Sequence, residues 1–357
     1  MDVDVIAGDA LAEIEGDWAE LVARDASATP FQGPAWAGAW LQRWEDPGEA
    51  WIVRVRSGGR VVGLVPLTVS RRHGARVLGM LGKEPGDYWD VVAAEPDRAA
   101  VAQAAAGELQ RRRADWDLGI LSCLQPGSPT VAALGAGGLR VRSRVPVRSP
   151  HIALPDDFDA YLAALPNKHR SNLRKHLRKL DGGDVQLRRV TDAAEIPAAM
   201  DRWRDLRSRQ WRAAGREINA LHEEASFTAF MSAVACSMVP LGSASLWEFV
   251  HADRVAGVYL NFHDDRAFYW YLGGFEPELS ALGVGKIAIA AGIRESIAAG
   301  RTSFDFTRGT ESYKYWYGAV DRELGSILVG HDGVRSRLAM AAARGVLALR
   351  SDATAAG

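Results

Sequence analysis

The order of elements along this chain is given twice. Alternating apolar residues and turn residues place a strand at Trp51–Arg56, a Ser57-Gly58-Gly59 turn and a second strand at Arg60–Val69. The same hairpin returns as Ser245–Val250, His251-Ala252-Asp253 and Arg254–Phe262. Arg60-Val61-Val62-Gly63-Leu64 and Arg254-Val255-Ala256-Gly257-Val258 stand 194 residues apart. Further strands follow, at Ala75–Leu81 and Asp87–Val92 in the first half and at Ala267–Leu272 in the second. A helix comes next in each half, about Asp97–Arg113 and Lys286–Ala298, and then a short buried strand, Asp117–Leu121 and Ser303–Phe306. These last strands are 186 residues apart. A near-constant offset across strand, hairpin, helix and strand points to one α/β module used twice. A chain of 357 residues has room for two such domains. The expected division is 1–150, 151–330 and a C-terminal helix and tail, 331–357.

Helices are expected at Ala10–Arg24 and Pro34–Trp44. In the latter, Trp36, Trp40 and Trp44 recur every four residues and share one face, which reads as a buried stripe. Val145–Pro155 is a proline-containing linker with the capacity to form an edge strand. Asp156–Leu180 is helical in two pieces broken near Pro166, and Asp192–Arg212 and Glu223–Ser237 are further helices. The tail Val334–Arg350 is amphipathic, with Arg335, Arg337, Arg344 and Arg350 above an apolar face. It is open to docking on the protein, to a partner or to a membrane surface.

Composition removes several function classes. Apolar residues make up 48% of the chain, enough for sizeable cores. The formal net charge is -1, which disfavours coating of DNA through bulk charge. Two cysteines, Cys123 and Cys236, lie far apart with no CxxC pattern, so neither a disulfide scaffold nor a thiolate zinc site is expected. His251 and His263 have no partner at metal-ligand spacing, and no metal is expected. The acidic start Met1-Asp2-Val3-Asp4-Val5 lacks the features of a signal peptide, and no apolar run spans a membrane. A cytoplasmic location is the expectation.

The most chemically suggestive stretch is Ser280-Ala281-Leu282-Gly283-Val284-Gly285-Lys286, between a strand and a helix. Alternate glycines let backbone N–H groups turn inward, and the helix start adds unpaired donors and the positive end of its dipole. Such a cradle suits a pyrophosphate, although bare loop-to-helix glycine pairs also occur without a ligand. It is neither a P-loop nor a three-glycine dinucleotide fingerprint. The equivalent place in the first half, Ala93-Ala94-Glu95-Pro96-Asp97, has no glycine and carries acids.

Past that helix, Phe304-Asp305-Phe306-Thr307-Arg308-Gly309-Thr310-Glu311-Ser312-Tyr313-Lys314 gathers polar chemistry at a strand end, where α/β sheets hold ligands. Asp305 and Glu311 read either as proton acceptors or as partners of Arg308 and Lys314. Pro166–Leu180 carries Lys168, Arg170, Arg174, Lys175, Arg178 and Lys179 with no acid, over a Leu173, Leu177, Leu180 stripe. An unmixed basic face suits a polyanion such as cofactor phosphates, an anionic glycan or the end of a tRNA. The alternative is a solvated helix neutralised elsewhere. Trp211 and Arg212 read as core, or as a stacking pair for an acceptor.

The chain resembles the CelD/BcsL-type acetyltransferases of the GNAT superfamily, built like the Fem-type peptidyltransferases from two tandem GNAT modules. The resemblance rests on Val62–Leu67, Gly86-Asp87-Tyr88-Trp89-Asp90, Lys168–Lys179, Gly283-Val284-Gly285 and Phe304–Lys314, over roughly residues 30–330. It implies an α/β (α+β) fold of two GNAT-like modules, each a mixed, mostly antiparallel sheet flanked by helices, with only the second holding acetyl-CoA. It implies a cofactor site at Ser280, Leu282, Gly283, Val284, Gly285 and Lys286, though Ser280 stands where the family's loop usually has Gln or Arg. Asp305 or Glu311 would accept the proton, with Lys314 near an oxyanion. Asp87, Tyr88, Tyr271, Arg308 and Tyr313 would meet the acceptor, entering between modules. The implied activity is transfer of an acetyl or other acyl group to an amine, on an amino sugar or cell-envelope precursor. Aminoacyl-tRNA-dependent peptidyl transfer, and a non-catalytic role in exopolysaccharide assembly, are the alternatives. On this reading Gly283→Glu abolishes coenzyme A binding without unfolding.

Overall fold

A computed structural model describes residues 1–44, 48–83, 85–215 and 224–343. The chain forms two units. Unit 1 is Met1–Leu41, Asp46–Val147 and Glu323–Gly357, and unit 2 is Gln42–Glu45 and Arg148–Arg322. The last strand carries the chain back into unit 1, with which the described residues 331–343 also count.

Unit 1 contains β1 (Asp2–Ile6), α1 (Leu11–Arg24), α2 (Pro34–Arg43, whose last two residues count with unit 2), β2 (Glu49–Ser57), β3 (Arg60–Arg72), β4 (Ala75–Met80), α3 (Glu95–Arg111), β5 (Leu118–Leu124), α4 (Thr130–Ala136) and β6 (Arg140–Ser143). Its sheet runs β1-β2-β3-β4-β5, antiparallel except for the parallel β4–β5 pair that α3 connects. Trp36 and Trp40 are buried, as their spacing predicts, while Trp44 falls one residue past α2 and is half-buried. Asp87–Val92 is not a continuous strand. Val92 exchanges backbone bonds with Leu64 alone, and the Asp90 carboxylate takes the Val91 N–H at 2.8 Å and the hydroxyls of Ser128 and Thr130. Side chains hold the backbone there in place of a ladder.

Unit 2 contains β7 (Val147–Ala153), α5 (Phe158–Ala164), α6 (Asn167–Asp181), β8 (Gln186–Val190), α7 (Ile196–Ala213), α8 (Ala225–Met238), β9 (Ala244–His251), β10 (Arg254–His263), β11 (Ala267–Phe275), α9 (Val284–Ala298), β12 (Ser303–Asp305) and the one-turn α10 (Ser312–Tyr315). Its sheet order is β7-β12-β11-β10-β9-β8, antiparallel except for the parallel β11–β12 pair that α9 connects. Buried Ile152, Leu173, Leu177, Tyr259, Trp270, Ile287 and Phe304 belong to one core under α6 and α9. β13 (Val320–Gly330) then pairs with β5 and β6.

The repeat extends to irregularities. The β2–β3 ladder slips at Val62 and the β9–β10 ladder slips at Ala256, the equivalent position. The next residue is glycine in both. A Cβ on Gly63 would meet Val101 Cγ2 of α3 at 2.5 Å, and one on Gly257 would meet Val284 Cγ1 of α9 at 2.8 Å. Each hairpin thus gives up a side chain where its crossover helix lies closest. Residues 334–343 are helical and dock on unit 1 through Met340 against Leu118 and Leu328, and through Arg335 to Asp117. Glu223, Arg344, Arg350 and 351–357 lie outside the described residues.

Candidate functional site

The geometry gathers at the start of α9. After β11 the chain makes a 3-10 turn, Pro277–Leu282, and Gly283 adopts a left-handed conformation, φ 72° and ψ 38°. That conformation reverses the chain into α9 and requires glycine. The Gly283 carbonyl accepts from Lys286 and Ile287. The Val284 and Gly285 amides donate to no acceptor among the described residues. Two free donors at the positive end of a 15-residue helix are an anion cradle.

Two side chains that the sequence reading passed over face this cradle. Tyr259, on β10, is 3% exposed, and its hydroxyl has no hydrogen-bond partner. A Cβ on Gly285 would lie 3.4 Å from that hydroxyl. Trp270 stacks on its ring at 5.0 Å. His176, on the basic helix α6, lies against Gly283, where a Cβ would stand 2.8 Å from its Cε1 atom. Its Nδ1 is buried without a partner. Burial and the ammonium groups of Lys286, Lys179 and Lys175 push its pKa down to about 4. Lys179 donates to Leu282 O at 2.7 Å and clamps α6 on the loop. Ser280 and Lys286 are exposed beside it, and Leu282 is half-buried against the core.

A second feature lies where β11 and β12 part. Their pairing covers only Ala267–Tyr269 with Ser303–Asp305. β11 continues to Phe275, while the chain after Asp305 turns through Thr307, φ 55°. Past Tyr269 that side of β11 has no strand partner among the described residues. Tyr271 lies at a slip of the β10–β11 ladder, half-buried, its ring edge-on to Phe262.

The polar residues of the following loop separate by environment. Asp305 is fully buried. Its Oδ1 accepts from Thr307 N at 2.7 Å and Ser149 Oγ at 3.3 Å, and its Oδ2 pairs with Arg322 at 3.1 Å. Both oxygens are engaged, which fits a positioning role better than proton acceptance. Lys314 is 3% exposed, and its Nζ donates to Arg308 O at 3.0 Å, Gly309 O at 2.9 Å and Glu311 Oε2 at 2.9 Å. An ammonium has three donors, and these are engaged in folding the loop, which fits a positioning role better than an oxyanion contact. The Glu311 side chain is 57% exposed. Gly309, at φ 104°, leaves room for that carboxylate 2.7 Å from where a Cβ would stand. Tyr313 is 41% exposed, with desolvation around its hydroxyl pushing the phenol up to about 12, and Arg308 is exposed.

Other expectations fall outside this arrangement. Asp87 and Tyr88 belong to unit 1, 2% and 1% exposed, with Tyr88 against Phe31, so neither presents a surface to an acceptor. Trp211 is covered by the Arg207 guanidinium at 4.5 Å. His263 stacks on Phe268 and meets Arg301, and among the described residues no group of three His, Cys, Asp or Glu is placed to hold a metal. No described helix is long and apolar enough to cross a membrane. Gly283→Glu, expected to spare the fold, would place a side chain in a strained conformation against His176.

Comparison with known proteins bears on this geometry. Residues 167–315 match the family model of the acetyltransferase (GNAT) domain. The chain matches no curated protein. Among solved structures it is similar to FemX, with 11% identity over 92% of this chain and 97% of that one and a TM-score of 0.66. It is similar to the C-terminal domain (DUF2156) of a putative lysylphosphatidylglycerol synthetase from Agrobacterium fabrum, with 12% identity over 94% and 96% of the chains and a TM-score of 0.58. A conserved protein of unknown function from Bacteroides thetaiotaomicron follows, with 11% identity over 88% and 96% and a TM-score of 0.54. At these identities the likeness is one of fold. Residues 167–315 thus match the acetyltransferase (GNAT) domain model, in a chain whose fold is similar to that of FemX.

Proposed function

We propose that the chain is an acyl-CoA-dependent N-acyltransferase of CelD/BcsL type, acting on an amine of an amino sugar or a cell-envelope or polysaccharide precursor. The observation that carries this reading is the pair of free amides at Val284 and Gly285, behind a left-handed Gly283 and above a buried, unpartnered Tyr259 hydroxyl. These residues fit the diphosphate of coenzyme A, which would bring the activated acyl thioester. The edge of β11 past Tyr269, which no described strand covers, would offer backbone N–H groups to the thioester arm and to the oxyanion. Glu311, the exposed carboxylate of the loop, takes the proton from the attacking amine. Asp305 and Lys314 hold the loop that presents it. Tyr271, Arg308 and Tyr313 are the acceptor contacts in this reading.

A second reading, transfer from aminoacyl-tRNA, is favoured by one observation. Lys168, Lys175 and Arg178 of α6 are exposed and make no ion pair among the described residues. Calorimetry with acetyl-CoA and with aminoacyl-tRNA separates the two. Gly285→Glu is the variant of choice, because its φ is ordinary and its Cβ meets only the Tyr259 hydroxyl at van der Waals distance. It places a carboxylate at the cradle. The expected result is acetyl-CoA binding by the wild type and about a hundredfold or greater loss in a folded variant. Binding of aminoacyl-tRNA alone, or equal acetyl-CoA affinity in both proteins, contradicts the reading.

A further inference from the structure

Phosphate cradles at helix starts are often completed by a side-chain cation. Ser280 is too short for that role here and is exposed. Lys179 is the nearest lysine of α6 to the loop, and its ammonium is held by Leu282 O and Ala281 O. Lys286 of α9 is exposed beside the loop, and the His176 ring lies directly against it. Its contact with Gly283 is so close that only glycine fits beneath it.

We propose that His176 is the side-chain contact of the cradle, and that its imidazole takes up a proton as the diphosphate of the acyl donor seats on the Val284 and Gly285 amides. This rests on the acyl-CoA reading above. Three observations support it. His176 Nδ1 is buried and unpartnered, a polar atom with no role in holding the fold. The Tyr259 hydroxyl is likewise buried and unpartnered, and it faces the same helix start at Gly285 from the sheet side. Two orphaned polar groups on separate elements therefore flank the helix start that carries the two free amides. The clamp from Lys179 fixes the turn of α6 that carries the ring.

The charge pattern makes the contact conditional. The charged groups acting on His176 are Lys175 and Lys179 on its own helix and Lys286 on α9, and no carboxylate acts on it among the described residues. The ring is therefore neutral at pH 7, its pKa lowered to about 4 by burial and those ammonium groups. A bound dianion reverses the sign of the local field and raises that pKa. In the interval between the free and the bound value, binding consumes a proton, and affinity rises as pH falls.

The test is calorimetric titration of coenzyme A at pH 6 and pH 8, in buffers of different ionisation enthalpy, on the wild type and on His176→Asn. The ligand's own phosphate titrates alike with both proteins, so the difference isolates the imidazole. The expected result is greater proton uptake by the wild type at pH 6 and about tenfold weaker binding in the variant, an advantage that narrows at pH 8. The His176 Hε1 resonance of the wild type, followed through the same titration, reports its protonation without any variant. Equal affinity and equal proton uptake in the two proteins, or an Hε1 shift that stays at its neutral value on saturation, overturns the proposal. If such a result comes with loss of binding in Gly285→Glu, the cradle stands and His176 is removed from it. If coenzyme A does not bind the wild type at either pH, the acyl-CoA reading falls and this inference with it.

Discussion

Asp305 and Glu311 are carboxylates of one loop with opposite surroundings. Asp305 is buried, with both oxygens engaged by Thr307, Ser149 and Arg322, whereas Glu311 is largely exposed and, among the described residues, paired with Lys314 alone. The two therefore respond differently to the same change. Glu311→Gln keeps the fold and leaves acyl-donor affinity near that of the wild type, while kcat falls by about a hundredfold or more. Asp305→Asn leaves Arg322 facing a neutral amide and costs on the order of 3 kcal/mol, visible as a lower Tm before any kinetic effect. Thermal unfolding of both variants beside steady-state kinetics checks this. A stable Asp305→Asn protein with abolished turnover would return the proton-acceptor role to Asp305. Sequence alone shows two acids six residues apart and cannot separate them, because Ser149 and Arg322 arrive from distant segments. His176 and Tyr259 escape sequence reading for the same reason, lying far along the chain from the glycines they face.

At the scale of elements, the loop between β12 and α10 is organised from within by one buried lysine. Lys314 reaches back to the carbonyls of Arg308 and Gly309 and to Glu311. Lys314→Met keeps the length of the side chain and leaves those carbonyls without a donor. The expected outcome is a Tm lower by roughly 4 °C or more and faster amide exchange across 307–311. An unchanged Tm with a selective loss of kcat would give Lys314 the oxyanion role instead. The basic helix shows the same division of labour. Its Leu173 and Leu177 stripe docks on the core, as the spacing predicts, while Lys179 and His176 face the loop at the start of α9 and Lys168 and Lys175 remain in solvent. β1 and β8 were not legible, since five-residue strands with partly exposed faces carry little periodic signal. The segment Asp87–Val92 read as a strand because its composition is β-rich, but the buried Asp90 carboxylate competes for the backbone.

Over the whole molecule, the duplicated order of strands, helix and strand was legible because apolar periodicity survives where identity does not. The repeated ladder slip and glycine at Val62-Gly63 and Ala256-Gly257 show what the offset of 194 residues encodes: a close approach of helix to sheet in each unit. The units then differ where chemistry would occur. α3 begins at Glu95 and Pro96 without a left-handed glycine, whereas α9 begins at Gly283 with free amides. In the function proposed, that asymmetry leaves one helix start, in unit 2, to hold the diphosphate of an acyl carrier. The most direct measurement is the amide spectrum of the isotopically labelled chain during titration with coenzyme A. Saturable downfield shifts and slowed exchange are expected at Val284 and Gly285, with the amides at the start of α3 unmoved. Binding that leaves Val284 and Gly285 unshifted, or that moves the start of α3 instead, would contradict it.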